Sequence, residues 1–268
     1  MNNFIGFIGA GNMGGALASA VCRAGYSDKV AVCDKDTKKA KALSEELSCA
    51  DADAAFVVGK CDTVFLGVKP QHLNSALEEI SDELKQYRTK PLFISMAAGV
   101  KIEKIKEALG EDAPVIRIMP NTPVSVGEGM ILYCASENVT DEQKAHFLEI
   151  CKCCGRLDEI SESAIDAASA VSGCGPAFVY MFIEALADGG VKCGLTREKA
   201  LLYAEQTLLG AAKLALESGA HPAVLKDAVC SPAGSTIEGV RALENGAFRS
   251  SVIEAVSASF ERTKALGK

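Results

Sequence analysis

Tryptophan is absent and histidine occurs only three times in 268 residues, so two side chains that often mark binding faces and metal centres are scarce. His72, His146 and His221 lie far apart, with no H-E-x-x-H or similar grouping, and no catalytic metal is expected. Long apolar runs are also missing. The longest, Ala177 to Ile183, has seven residues, against about 20 needed to cross a bilayer. Met1 to Gly9 lacks the cationic start of a signal peptide. The expectation is a cytoplasmic chain with no membrane partner. Positive charge is in deficit: 28 Lys and Arg stand against 35 Asp and Glu, a net charge of −7, and no Lys/Arg run exceeds two residues. No nucleic-acid footprint is expected, and a small-molecule partner fits better.

What is plentiful is apolar surface, at 49% hydrophobic against 24% charged residues, which excludes disorder and implies a folded protein of one or two domains. Cysteine is plentiful too. Eleven of them, an odd number without a secretion signal, read as reduced thiols. Cys151, Cys153 and Cys154 raise the question of zinc, yet a structural site normally takes two separated ligand pairs and no second pair follows. Buried or half-buried thiols are the better reading.

Phe4 to Ile8 is a short apolar run that predicts a buried strand, and it leads directly into Gly9-Ala10-Gly11-Asn12-Met13-Gly14. Ala16, Leu17, Ala20 and Val21 then recur at helical spacing, Gly25 ends that helix, and Lys29 to Cys33 predicts a second strand closing on Asp34. A strand, a glycine turn, a helix and a strand make a βαβ unit. In a dinucleotide-binding unit the first two glycines allow a tight turn and close approach to a pyrophosphate, and the third allows close helix–strand packing. Asp34 falls 20 residues past Gly14, where a ribose-binding acid belongs. It would accept from the free 2′-hydroxyl of NADH, whereas Lys35, Lys38 and Lys39 would neutralise the 2′-phosphate of NADPH. Both cofactors stay open.

Thr63 to Val68, Leu92 to Ser95, Val115 to Ile118 and Met130 to Tyr133 predict further strands, separated by helices over Leu73 to Leu84 and Ile102 to Leu109. The pattern predicts an α/β fold, an N-terminal Rossmann-type doubly wound parallel sheet. Three runs end in the turns Val68-Lys69-Pro70, Ser95-Met96-Ala97-Ala98-Gly99 and Met119-Pro120-Asn121-Thr122-Pro123. Ligands of such sheets lie outside the carboxyl ends of the strands, so these turns are expected to line the cofactor.

Beyond about residue 160 the pattern becomes helical, which divides the chain into a dinucleotide-binding domain over 1–160 and an all-helical domain over 161–268. Pro176 predicts a helix running to about Asp188 and ended by Gly189-Gly190, and Thr196 caps another reaching Glu217 before Gly219. That second helix is apolar around most of its circumference, from Leu201 to Leu216. A surface helix would show one stripe, so a second copy of the chain is expected to cover it. Two glycine turns precede helices here, Ser172-Gly173-Cys174-Gly175-Pro176 and Ser231-Pro232-Ala233-Gly234-Ser235-Thr236. Each offers helix N-terminal amides to a carboxylate, and the Ser235 and Thr236 hydroxyls add hydrogen-bonding groups.

Nearly the whole chain resembles pyrroline-5-carboxylate reductases. The resemblance is carried by Phe7-Ile-Gly-Ala-Gly-Asn-Met-Gly14, Val68-Lys-Pro-Gln71, Ser95-Met-Ala-Ala-Gly99, Met119-Pro-Asn-Thr-Pro123, Ser172-Gly-Cys-Gly-Pro-Ala177 and Ala187-Asp-Gly-Gly190. Above all it is carried by His221-Pro-Ala-Val-Leu-Lys-Asp-Ala-Val-Cys-Ser-Pro-Ala-Gly-Ser-Thr236 with Leu243-Glu-Asn-Gly246. It implies reduction of 1-pyrroline-5-carboxylate to L-proline with NADPH or NADH, and a homodimer interlocked through the helical domain, often within a decameric ring of dimers. It also implies cofactor contacts at Gly9, Ala10, Gly11, Asn12, Met13, Val68, Lys69, Pro70, Met96, Ala97 and Ala98, and substrate contacts at Ser231, Gly234, Ser235 and Thr236. Cys174 and Ala54 depart from the serine and asparagine common in the family.

The chemistry needs no metal or covalent nucleophile: a hydride adds to the C=N carbon, and Thr236 is the expected catalytic group, hydrogen-bonded to the ring nitrogen. Ser172, Gly173 and Gly175 join the expected substrate site. A related reductase of a 2-hydroxy acid or another small imine, and a non-catalytic dinucleotide-sensing dimer, are the alternatives. The first lacks a persuasive acid among Lys192, Lys199, Lys213, Lys226, Lys264 and His221. The second would not need the rear pair of turns.

Overall fold

The computed structural model describes residues 4–87 and 89–266. They group into two units, one formed by the chain up to Cys174 with the segment from Ser259 on, the other by Gly175–Ala258.

The first unit begins with β1 (Ile5–Ile8), α1 (Asn12–Val21), β2 (Val30–Cys33), α2 (Thr37–Leu47), β3 (Ala50–Asp51) and α3 (Ala54–Lys60). It continues through β4 (Thr63–Leu66), α4 (Pro70–Leu84), β5 (Leu92–Ser95), α5 (Ile102–Leu109), β6 (Val115–Met119), β7 (Gly129–Ala135), α6 (Asp141–Cys151), β8 (Gly155–Glu159) and α7 (Glu162–Ser172). The strands form one sheet in the order β3-β2-β1-β4-β5-β6-β7-β8. Because alternate residues of a strand point to opposite faces, β1 sends Phe7 to one face and Ile8 to the other. Phe7 stacks on Phe65 at 4.5 Å between ring centroids, in a layer with Leu17 and Val21 of α1 and Phe147 and Ile150 of α6. Opposite them, Leu66 and Phe93 pack with Val57 of α3, Leu73 and Leu77 of α4 and Ile105 of α5. Strands covered on both faces read as unbroken apolar runs, and β1, β4, β5 and β6 are buried along their whole length.

The expected doubly wound α/β fold is present, with one departure from an all-parallel sheet: β7 runs antiparallel to β6. Residues 120–128 join the two through a 3₁₀ turn at Thr122–Val126, too short for the crossover that a parallel return requires. Strand β8 then pairs parallel with β7.

The second unit is helical and contains α8 (Gly175–Lys192), α9 (Arg197–Ser218), α10 (Pro222–Ala228), α11 (Ser235–Asn245) and the first part of α12 (Phe248–Leu266). Thr196 caps α9 by accepting from the Lys199 amide, and Gly219 ends the helix at φ 61°, as its sequence predicts. Gly189-Gly190 does not end α8, contrary to expectation. A Cβ at Gly190 would stand 3.1 Å from the Ala200 Cβ, so this glycine permits close packing on α9, and the chain turns only at Gly194, φ 100°. Ala187, Ala200 and Ala204 form the small buried centre of this unit. By length and composition alone, Glu162–Lys192 contains an 18-residue window apolar enough to cross a membrane, with a mean hydropathy of 1.4; the apolar core of a homodimer interface has a similar composition.

Candidate active site

Strand order reverses around β1, which lies between β2 and β4, and this switch point is where an open α/β sheet receives its ligand. Gly9 leaves β1 at φ 108°, a left-handed conformation that glycine adopts without strain, and its amide donates to the Cys33 carbonyl at 2.7 Å. A Cβ on Gly9 would stand 2.7 Å from the Gly67 carbonyl group, and one on Gly14 would stand 2.1 Å from the Gly9 oxygen. These two glycines let the turn, the start of α1 and the end of β4 close on one another. Gly11 differs: a Cβ there would meet nothing within 4 Å. It caps α1 without a side-chain hydrogen bond, and the first turn of α1 holds no acid. Asn12 and Met13 open that helix. An uncapped, unopposed helix N-terminus behind an open glycine fits the pyrophosphate of a dinucleotide.

Asp34 follows β2 directly. Its Oδ2 accepts from the Ala10 amide at 2.7 Å and its Oδ1 from the Asp36 amide at 2.9 Å. Lys35 donates from Nζ to Ser75 Oγ at 2.9 Å. Val68 and Lys69 follow β4, and Lys69 caps α4 without a side-chain bond. The side chain of Pro70 lies outside the described residues. Met96, Ala97 and Ala98 follow β5. The Met96 amide donates to the Leu66 carbonyl at 3.4 Å, and Ala97 is buried. Asn121 follows β6, where its Nδ2 donates to the Ser172 carbonyl at 2.9 Å and its Oδ1 accepts from the Met130 amide at 2.9 Å. The turns after β1, β2, β4, β5 and β6 therefore share one edge of the sheet. Gly67 belongs to this edge as well. Its place between Leu66 and Val68 disguised it in the sequence as strand.

Ser172 ends α7, and its hydroxyl donates back to the Ala168 carbonyl at 3.2 Å. Gly173 is the C-cap of α7. Gly175 opens α8, and a Cβ there would meet nothing within 4 Å.

In the helical unit, Ser231-Pro232-Ala233-Gly234 forms a turn closed by the Gly234 amide donating to the Ser231 carbonyl at 3.0 Å. Ala233 takes φ 57°, unusual for a residue with a side chain and a form of strain that gathers at functional sites. A Cβ on Gly234 would stand 2.3 Å from Ser231 Oγ. Gly234 caps α11 without a side-chain hydrogen bond, and Ser235 and Thr236 are the first two residues of that helix. The chain thus leaves a second helix N-terminus without a side-chain cap, followed at once by two hydroxyls. His221 is occupied elsewhere: its Nδ1 accepts from the Ala223 amide at 3.2 Å and caps α10.

All eleven cysteines are free thiols, and burial pushes Cys61 up to about 12. Cys153 and Cys154 Sγ stand 3.9 Å apart. Among the described residues, no group of three or more His, Cys, Asp or Glu side chains gathers as a metal ion would require.

Residues 162–266 match the family model for pyrroline-5-carboxylate reductase dimerisation, and residues 4–99 match one described as NADP oxidoreductase, coenzyme F420-dependent. A pyrroline-5-carboxylate reductase of Escherichia coli is 41% identical over 271 residues, covering 100% of both chains. One from Methanosarcina acetivorans is 42% identical over 270 residues, covering 100% of this chain and 99% of the relative. Among solved structures, Plasmodium falciparum pyrroline carboxylate reductase with NADP bound superposes with a TM-score of 0.87 at 35% identity, covering 100% of this chain and 99% of that one. The Coxiella burnetii pyrroline-5-carboxylate reductase gives 0.89 at 35% identity, with both chains fully covered.

Proposed function

The chain belongs to the pyrroline-5-carboxylate reductase family, and from that premise we propose how its own residues divide the work. It is an oxidoreductase that reduces 1-pyrroline-5-carboxylate to L-proline with a nicotinamide dinucleotide, a step of proline biosynthesis. The observation that carries the assignment of roles is the pair of helix N-termini without side-chain caps, α1 behind Gly11 and α11 behind Gly234.

The bound dinucleotide supplies a hydride. Gly9, Ala10, Gly11, Asn12 and Met13 hold its pyrophosphate against the α1 amides, with Asp34 and Lys35 toward its adenosine end. Val68, Lys69, Pro70, Met96, Ala97, Ala98 and Asn121 line the rest. Ser231, Gly234, Ser235 and Thr236 take the pyrroline carboxylate on the α11 amides, and Ser172, Gly173 and Gly175 are further substrate contacts in this reading. The Thr236 hydroxyl hydrogen-bonds the ring nitrogen, accepting from a protonated imine or donating to a neutral one. As hydride reaches the C=N carbon, the π electron pair moves to nitrogen, which already carries its proton in the iminium or takes one from solvent in the neutral imine, and ends as an amine. Fixing the reacting carbons about 3 to 3.5 Å apart is worth several kcal/mol of the barrier, and no side chain needs to form a bond to substrate.

The working form in this reading is a homodimer, for which the dimerisation model over 162–266 is the support. The family resemblance supports a decameric ring of such dimers, the net charge of −7 argues against nucleic-acid or anionic-membrane partners, and a cytoplasmic location belongs to the same reading. The test follows reduced-nicotinamide absorbance with 1-pyrroline-5-carboxylate. The intact protein is expected to oxidise the cofactor only when the imine is present. Thr236→Ala is expected to lower kcat by about 100-fold while leaving dinucleotide affinity unchanged. Unaltered turnover removes Thr236 from the chemistry, and no imine-dependent oxidation by the unmodified enzyme overturns the reading.

A further inference from the structure

The carboxyl end of β2 decides which dinucleotide the chain accepts, because a 2′-hydroxyl and a 2′-phosphate differ there and nowhere else. Asp34 is fixed at that point. Its Oδ2 is held by the Ala10 amide at 2.7 Å, which seats the carboxylate against the glycine turn, and its Oδ1 is held by the Asp36 amide at 2.9 Å. Each oxygen accepts one of these bonds and keeps a lone pair for another donor, as a ribose hydroxyl is.

The surroundings are acidic. At the end of β2, burial and then the charges of Glu79, Asp34, Asp53 and Asp51 push the Cys33 thiol up to about 11. The amides that might take a phosphate are spoken for: the Asp36 amide bonds Asp34, and the Lys38 amide bonds the Asp36 carboxylate at 3.2 Å. Two of the three nearby lysines also face other groups. Lys35 Nζ donates to Ser75 at 2.9 Å, and Lys39 lies 3.9 Å from Asp36. A phosphate, carrying roughly −1.5 to −2 charge at neutral pH, would meet the Asp34 carboxylate held in place by two amides.

We propose that Asp34 makes this chain selective for NADH over NADPH, its carboxylate accepting the 2′-hydroxyl of the adenosine ribose and repelling a 2′-phosphate. The inference rests on the reductase reading for the presence of a dinucleotide and adds which one.

The test is direct binding rather than turnover: calorimetric titration of the full-length protein with NADH and with NADPH, repeated on Asp34→Asn and Asp34→Ser. NADH is expected to bind the unmodified protein at least about tenfold more tightly, a difference on the scale of one repelled charge. Asp34→Asn retains an acceptor for the Ala10 amide while losing the charge and the acceptor that the Asp36 amide uses, so it should shrink that ratio at a modest cost in thermal midpoint. Asp34→Ser should shrink it further. Equal or tighter NADPH binding by the unmodified protein overturns the proposal, as does a ratio that both variants leave unchanged. Failure to bind either dinucleotide instead overturns the reductase reading.

Discussion

Two glycines of one turn, three residues apart, answer to different forces. Gly14 is constrained from inside, because a Cβ there would stand 2.1 Å from the Gly9 oxygen, whereas the corresponding space at Gly11 is open. Gly14→Ala therefore has to push α1 away from the turn, an overpacking cost of about 1 to 3 kcal/mol, and denaturant unfolding should show a lowered midpoint. Gly11→Ala should shift stability by less than about 1 kcal/mol. Its methyl group would nevertheless occupy the space that the pyrophosphate needs, and dinucleotide affinity should fall by about tenfold or more by calorimetry. A Gly11→Ala protein that binds cofactor normally would show that the open space is not the cradle. The Gly-x-Gly-x-x-Gly pattern made all of these positions visible in the sequence. It did not reveal that Asn121 bridges the Ser172 carbonyl and the Met130 amide, since these partners lie 51 and 9 residues away with no local spacing to mark them.

Among elements, β6 combines what the sequence shows with what it hides. Its apolar residues Val115, Ile116, Ile118 and Met119 mark a buried strand, yet Arg117 in their midst is only 2% exposed. Its guanidinium reaches Glu162 at 3.3 Å and Asp166 at 2.8 Å, both on α7, while Glu162 also accepts from the Ile102 amide at the start of α5 at 2.7 Å. Partners 45 and 49 residues away leave no local spacing to read. Arg117→Ala would strip two partly buried carboxylates of their counter-charge, and a loss of about 3 kcal/mol is expected in denaturant unfolding. A change within about 0.5 kcal/mol would mean that the triad contributes no net stability. Elements with local signals were legible: β1, β2, β4 and β5 as apolar runs, α5 at its observed bounds, and α9 from Thr196 to Gly219. Those set by distant neighbours were not. Strand β8 carries Arg156, Asp158 and Glu159 and forms only by pairing with β7 at the sheet edge, β3 is two residues long, and the reversal of β7 depends on the length of its connection.

At the scale of the whole molecule, the helical unit has apolar surface in excess of what its own helices cover. Leu202, Leu209, Leu214 and Leu216 of α9 are 59%, 57%, 55% and 71% exposed, and Tyr180 and Met181 of α8 are 58% and 69% exposed. Exposed apolar patches of this kind mark association surfaces. In the homodimer proposed above, for which the dimerisation model over 162–266 is the support, the partner covering this surface is a second copy. A two-fold axis places the same patch on both sides of the contact, so a single substitution enters the interface twice. Leu202→Glu with Leu209→Glu would bury four uncompensated carboxylates per dimer, each costing several kcal/mol. Sedimentation equilibrium should then find the doubly substituted chain at monomer mass at concentrations where the unmodified protein is associated, with the dissociation constant raised by at least about 100-fold. Far-ultraviolet circular dichroism of the Rossmann unit's helices and strands should be retained, because neither leucine belongs to that unit. An unmodified protein that sediments as a monomer would remove the second copy from the account and leave the exposed leucines of α9 without a partner.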